Sequence, residues 1–227
     1  MKIGVISDIE GNDSMLAQVL NELEDCGLII NLGDSVGNKG DTNRVIQLLN
    51  HKKIKSIIGN HDLEVILNRD VAPSEFMAPM IHESNERYYP DFDVSAESKK
   101  FLKTLKLGLK VNFNGLVYGF FHSFLGRYEG DTFYEYVDHK NASELIEKTR
   151  CDIVFIGHKH VPAIFTIDEN SEVKTIKNMI PIRFKLIRRN KYVINVGSVG
   201  ASRHRKIKCS YSIMDIDENI VRLVMLE

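Results

Sequence analysis

The 227-residue sequence predicts an α/β fold in which βα units give way to hairpins. Three observations carry that expectation. Apolar runs rich in β-branched residues recur at 3–6, 28–32, 54–58, 116–121 and 153–156, the length and composition of buried strands. Segments of helical periodicity separate the first three runs, which is the alternation of a parallel sheet with right-handed crossovers. The last third carries strand pairs joined through short polar turns. A chain that starts and ends in these two ways should hold a mixed sheet, or two sheets packed face to face.

The elements follow in order. After the strand at 3–6, residues 13–25 place Met15, Leu16, Val19, Leu20 and Leu23 at helical spacing, with Asp13 or Ser14 as the cap. After the strand at 28–32, residues 42–51 repeat the pattern with Val45, Ile46, Leu48 and Leu49. The strand at 54–58 closes this part. Residues 63–110 change character, with irregular, aromatic and acidic stretches and a helix expected over 95–107. This segment reads as an insertion beside the site, suited to a lid or a substrate-size filter. A helix over 141–149 leads into the strand at 153–156. Strands at 163–167 and 172–176 form one hairpin, and those at 211–216 and 220–226 another. One domain over 1–227 is expected.

Bulk properties exclude several classes. Thirty basic against 31 acidic residues leave a net charge of −1, which speaks against non-specific affinity for nucleic acid or membranes. Cys26, Cys151 and Cys209 are odd in number and far apart, the pattern of free thiols in a reducing compartment. The chain enters a strand at once, so no secretory leader is expected. No apolar stretch reaches the roughly 18–20 residues of a membrane span. A soluble, cytoplasmic protein is the expectation.

Most of the apolar runs end on a potential metal donor. The signatures are Asp8-Ile9-Glu10-Gly11-Asn12, Gly33-Asp34, Gly59-Asn60-His61-Asp62, His122, Gly157-His158-Lys159-His160 and Asn195-Val196-Gly197-Ser198-Val199-Gly200. Ligands of open α/β sheets bind beyond the carboxyl ends of the strands. Carboxylate, amide and imidazole donors gathered at one rim therefore describe a metal site. His51, His82, His139 and His204 lack such partners and read as structural. Basic runs at 183–191 and 203–208 read as solvated faces, with an anion-attracting rim near Arg203 as the alternative. Tyr88, Tyr89 and Phe92 read as packing within the insertion, with stacking on a base as the alternative.

In this order the signatures resemble those of the calcineurin-like metallophosphoesterases, especially the small single-domain phosphodiesterases and phosphatases of bacteria and archaea. The resemblance runs from Met1 to Asp215 and is least specific over 63–110. It implies two mixed β-sheets packed as a sandwich and flanked by helices. It also implies two divalent ions, Mn²⁺ first, with Mg²⁺, Fe, Ni²⁺ or Zn²⁺ as alternatives. One ion would lie on Asp8, Glu10, Asp34 and His160, the other on Asp34, Asn60, His122 and His158, with Asp34 as the bridge. A metal-bridging hydroxide would attack a phosphomono- or phosphodiester. His61 would protonate the leaving oxygen or stabilise the transition state, Asp62 would orient His61, and Asn12 and Arg203 would bind substrate. The implied partner is a phosphorylated small molecule, a nucleotide or a phosphoprotein, with nucleic acid not favoured and no membrane.

Three departures from the family pattern stand out. Glu10 occupies the place where the family most often has His, Ser123 follows His122 where Gly is frequent, and Lys159 replaces Thr or Ser. Glu10 either coordinates, hardening the first site toward Mn²⁺ or Mg²⁺, or turns away and leaves that site weak. Lys159 is expected to face solvent. A catalytically retired scaffold and a nuclease remain the alternative functions.

Overall fold

The computed structural model describes residues 1–66, 93–128, 131–176, 182–202 and 208–226. In chain order its elements begin with β1 (Lys2–Ile6), α1 (Asp13–Glu22), β2 (Leu28–Asn31), α2 (Thr42–His51), β3 (Lys55–Ser56), α3 (Asn60–Ile66) and α4 (Ala96–Leu102). There follow β4 (Gly108–Phe113), β5 (Leu116–Phe121), β6 (Phe124–Tyr128), β7 (Asp131–Glu135), α5 (Ala142–Thr149) and β8 (Ile153–Ile156). The chain then closes with β9 (Ala163–Ile167), β10 (Val173–Ile176), β11 (Ile182–Lys185), β12 (Lys191–Asn195), β13 (Cys209–Asp215) and β14 (Ile220–Leu226).

Two six-stranded mixed sheets pack face to face. The first has the order β11-β14-β13-β1-β2-β3, the second β10-β9-β12-β8-β5-β4, and β6 with β7 forms a separate ribbon. Each sheet holds a parallel trio, β1-β2-β3 in one and β5-β8-β12 in the other. The remaining strands attach antiparallel. Strand alternation explains the layers. Ile3, Val5, Ile30 and Leu32 of the first sheet meet Tyr118, Phe120, Ile153, Phe155, Tyr192 and Ile194 of the second in the central core. The opposite faces are covered in turn: Ile6 meets Leu16, Val19 and Leu20 of α1, and Val154, Ile156 and Val193 meet Leu145 and Ile146 of α5. The two-sheet sandwich expected from the family resemblance is the fold observed.

Local differences have identifiable causes. Asn12, rather than Asp13 or Ser14, caps α1, its Oδ1 accepting from Met15 N at 3.1 Å. The strand expected over 54–58 shrinks to Lys55–Ser56, because only those two residues pair with β2. The helix expected over 95–107 ends at Leu102. Val94 and Leu102 are buried against Val36 and Ile46, so residues 94–102 are packed into the body. Most of the insertion expected over 63–110, residues 67–92 with His82, Tyr88, Tyr89 and Phe92, lies outside the described residues. No helix among the described residues is long and apolar enough to cross a membrane.

Candidate metal centre

The two parallel trios deliver their carboxyl ends to one seam between the sheets. Asp8, Asp34 and Asn60 follow β1, β2 and β3, whereas His122, His158 and His160 follow β5 and β8. The turns that carry them are tight. Asp8, Glu10, Asp34, His158 and His160 all take positive φ, between 51° and 65°, a region non-glycine residues seldom enter and one that concentrates at functional sites. The loops brace one another by main-chain bonds: Asp8 N donates to Gly33 O, Glu10 N to Asp34 O and Gly11 N to Ser35 O, each at 3.0 Å.

Within the seam the donors fall into two clusters. His160 Nε2 lies 3.1 Å from Asp8 Oδ1 and 3.3 Å from Glu10 Oε1. His122 Nε2 lies 3.0 Å from Asn60 Oδ1 and 3.3 Å from Asp34 Oδ2. Ligand atoms of Asp34, His122 and His158 all sit within 4.8 Å of one another, and so do those of Glu10, Asp34 and His61. Asp34 thus belongs to both sides. Glu10 points inward, at 9% exposure.

Two observations test whether this pocket fits cations. The first is the imidazole orientation: Nδ1 of His122 lies 2.9 Å from Leu32 O, and Nδ1 of His160 lies 2.7 Å from Ala201 O. Donation to a carbonyl through Nδ1 fixes the tautomer and turns Nε2 to the cluster, the arrangement of metal-binding histidines. The second is charge. Asp8 and Asp34 are buried, and their only ion-pair partners among the described residues are imidazoles. Buried carboxylates of this kind require positive charge. The residues fit divalent cations.

The electrostatics show what stands in for that charge. Burial pushes Asp8 up, but the His160 hydrogen bond and the charge of His122 outweigh it and leave its carboxyl below the ordinary range. Asp34 is likewise driven down against burial, by His122 and His61. Burial lowers His122, yet Asp34, by charge and hydrogen bond, lifts it to about 9. His61 and His160 rise for the same kind of reason, against burial, through Asp34 and Asp8 respectively. His158 goes the other way, to about 4, because burial and His122 both oppose its charge. Glu10 is raised by burial, with His61 and His160 opposing.

Several expected residues take other places. Asp62 is fully buried and accepts Ser35 N at 2.9 Å and Val36 N at 3.0 Å on Oδ1, and Gly59 N at 3.1 Å on Oδ2. It therefore ties the Asp34 loop to the start of α3, whereas the sequence suggested a carboxylate orienting His61. His61 meets Asp34 through its own N–H, 2.9 Å from Oδ1. Asn12, expected at the substrate, caps α1 and reaches Gly200 O through Nδ2 at 3.4 Å. Arg203 lies outside the described residues. The turn at 195–200 is a brace: Ser198 Oγ and Gly200 N both donate to Asp8 O at 2.9 Å. Lys159, expected to face solvent, places Nζ 6.0 Å from the Tyr136 ring.

A cavity of about 500 Å³ opens over the cluster. Its wall includes Glu10, Asp34, Asn60, His61, His158 and His160, together with Lys39, Glu64 and Tyr136, which the sequence did not single out. Glu64 lies three residues beyond His61 on α3, so reading 60–66 as a helix would have placed both on one side. Lys39 and Tyr136 sit in loops and carry no periodic signal.

Comparison with known proteins agrees with this geometry. A model of the calcineurin-like phosphoesterase superfamily domain matches residues 1–219. An uncharacterized protein of Methanocaldococcus jannaschii is 28% identical over 227 residues, 99% of this chain and 87% of the relative. A metallophosphoesterase from Sphaerobacter thermophilus shares the fold with a TM-score of 0.74 and 22% identity, over 100% of this chain and 89% of its own. Vps29 of Chaetomium thermophilum does so with a TM-score of 0.55 and 14% identity, over 100% and 88%. The match spans every donor-bearing strand end, in the order in which the sandwich assembles them: the chain belongs to the calcineurin-like phosphoesterase superfamily.

Proposed function

We propose that this chain is a metal-dependent phosphoesterase that hydrolyses phosphomono- or phosphodiesters at a dinuclear site. The observation that carries the reading is the pair of buried carboxylates, Asp8 and Asp34, whose only ion-pair partners among the described residues are imidazoles. Asp8, Glu10, Asp34 and His160 would hold one ion, and Asp34, Asn60, His122 and His158 the other. Two divalent ions so held supply Lewis acidity toward the phosphoryl oxygens and activate water for in-line attack.

The chain's own residues do the rest. Asp34 presents Oδ2 to His122 and Oδ1 to His61 N–H, so it couples both clusters to the catalytic loop. His61 lines the cavity beside Glu10 and Asp34. From there it can give a proton to the departing oxygen. Asp62 holds the loops that present both residues. The chain is read as a single domain. Cys26, Cys151 and Cys209 are all free, in keeping with a cytoplasmic location.

A non-catalytic scaffold is the second reading, favoured by the likeness in fold to Vps29. One experiment separates the two. Metal-stripped protein is reloaded with Mn²⁺, Mg²⁺, Ni²⁺ or Zn²⁺ and assayed on para-nitrophenyl phosphate and its bis ester. Turnover restored by metal and abolished by chelation is expected. Metal binding without turnover of either ester favours the scaffold, and turnover that persists in excess EDTA overturns the mechanism.

A further inference from the structure

Tyr136 is out of place for a core residue. Its side chain is large, yet the residue is 48% exposed, and it stands on the wall of the cavity above the donor cluster. It is nevertheless held. Ser123 Oγ donates to the Glu135 carbonyl, and Asn141 Nδ2 donates to the Tyr136 carbonyl at 3.1 Å. The ring stacks on His158 with centroids 4.9 Å apart and planes 26° from parallel. His158 in turn meets His122 edge-on at 5.0 Å. A series of three rings therefore climbs from the buried floor of the site to its mouth.

Two further wall residues belong to neither donor cluster. Glu64 offers carboxylate oxygens near His61, and Lys39 brings positive charge to the same cavity. A second carboxylate on the wall of a phosphate site repels a bare phosphoryl group, but it accepts hydrogen bonds from sugar hydroxyls, as acidic residues do in nucleotide sites. A fixed aromatic ring at the rim gives a planar base a surface to stack on. The cavity volume, about 500 Å³, falls within the range that encloses a small organic ligand rather than phosphate alone.

From these we infer that the cavity mouth is a nucleoside subsite, in which Tyr136 takes a nucleobase and Glu64 the ribose hydroxyls of a nucleotide phosphoester. The inference rests on the phosphoesterase reading only for the position of the phosphoryl group over the donor cluster. A phosphotyrosine side chain is the competing ligand, and it has an aromatic ring but no hydroxyls for Glu64.

The test is calorimetric binding to the Mn²⁺-loaded full chain, using C–P-linked phosphonates of adenosine, of ribose and of phenol, with inorganic phosphate as reference. The adenosine compound should bind roughly tenfold more tightly than the ribose compound, the usual worth of one base-on-aromatic stack. That preference should vanish in Tyr136→Leu and persist in Tyr136→Phe, with metal content equal in all proteins. Glu64→Gln should weaken both ribose-bearing compounds relative to phosphate. Equal binding of the adenosine and ribose compounds by the wild-type chain overturns the inference, as does a preference for the phenyl compound over the adenosine one. A Tyr136→Leu protein that keeps the adenosine preference overturns it too. Those outcomes leave the phosphoesterase reading intact if phosphate still binds; if neither phosphate nor any phosphonate binds, both fall.

Discussion

Removing the Asp62 carboxylate should unfold the site from beneath rather than alter its chemistry directly. Asp62→Ala orphans three buried main-chain donors at once, those of Ser35, Val36 and Gly59. Each buried unsatisfied donor costs about 1–3 kcal/mol. The two loops can part and admit water, so the full sum is not expected, and we place the loss at roughly 3–5 kcal/mol. For a chain of this length that is about 10–15 °C in melting temperature. Asp62→Asn keeps the shape and one acceptor oxygen, which can still serve Ser35 and Val36, but turns an amide N–H toward that of Gly59. Its loss should be nearer 1–2 kcal/mol. Burial and Asp34 raise the Asp62 pKa to about 6, above its unfolded value. Ionising Asp62 therefore costs stability as pH rises through 6, and the Asn variant escapes that cost. Asp62→Asn should thus lie closer in stability to wild type near pH 8 than near pH 5, while Asp62→Ala, which also lacks the titrating group, should move in the same direction. The assay is urea unfolding of the metal-free proteins followed by far-ultraviolet circular dichroism. An Asp62→Ala protein within 1 kcal/mol of wild type would refute the loop-clamp role. Loss of turnover without loss of stability would return Asp62 to the orientation of His61.

The remaining predictions concern the donors themselves. Glu10→His should shift metal preference from Mn²⁺ or Mg²⁺ toward softer ions, read as metal retained in competition; an unchanged preference and stoichiometry would put residue 10 outside the coordination sphere. His61→Ala should lower turnover by roughly 10²–10⁴-fold at constant metal content, less for nitrophenolate than for alkoxide leaving groups. Equal losses would assign His61 to charge stabilisation on the phosphoryl oxygens. In the metal-free protein His122 titrates near 9, above its ordinary 6.5. Its contribution to stability is fully present below 6.5 and lost as pH rises through 9, and metal binding in that window should release its proton. Calorimetry in buffers of different ionisation enthalpy measures that proton, and no release at pH 7.5 would contradict the His122–Asp34 pairing.

Much of this was legible in the sequence because each strand had to end where its donor began. The order Asp8, Asp34, Asn60, His122, His158 marks strand ends directly, and α2 and the β9–β10 and β13–β14 hairpins lie close to where periodicity and turn residues put them. Sheet membership was not legible. Insertion of β12 between β9 and β8 depends on pairings across tens of residues, which local pattern does not encode. Asp62 looked like a partner for His61 because the two are adjacent in sequence. Its actual partners at 35 and 36 are set by the approach of two loops. Ser123 read only as a missing glycine, whereas its hydroxyl fastens the residue before Tyr136. Glu64, Lys39 and Tyr136 escaped notice because a cavity wall is defined by the assembled fold and not by spacing along the chain.

The loops that carry the donors touch main chain to main chain. At Gly33, which has φ +100°, a Cβ would fall 2.4 Å from Gly59 N, and at Gly59 one would fall 2.1 Å from Asp34 Oδ1. The path of these loops is therefore drawn by main-chain atoms, by two positions where a side chain cannot exist, and by the Asp62 carboxylate that clamps them. Asp8 and Asp34 are part of that path, since their carboxylates accept the N–H groups of His158 and His61, but the side chain of residue 10 is not. Glu10 illustrates the separation: its own backbone is pinned to Asp34 O and Lys39 N, so an acid can stand where an imidazole is usual without moving its neighbours. A lineage built on such a frame can retune its metals, or abandon them, one side chain at a time. Altering the frame would disturb both loops at once, through the glycines or Asp62, which makes the architecture slower to drift than the donor at residue 10.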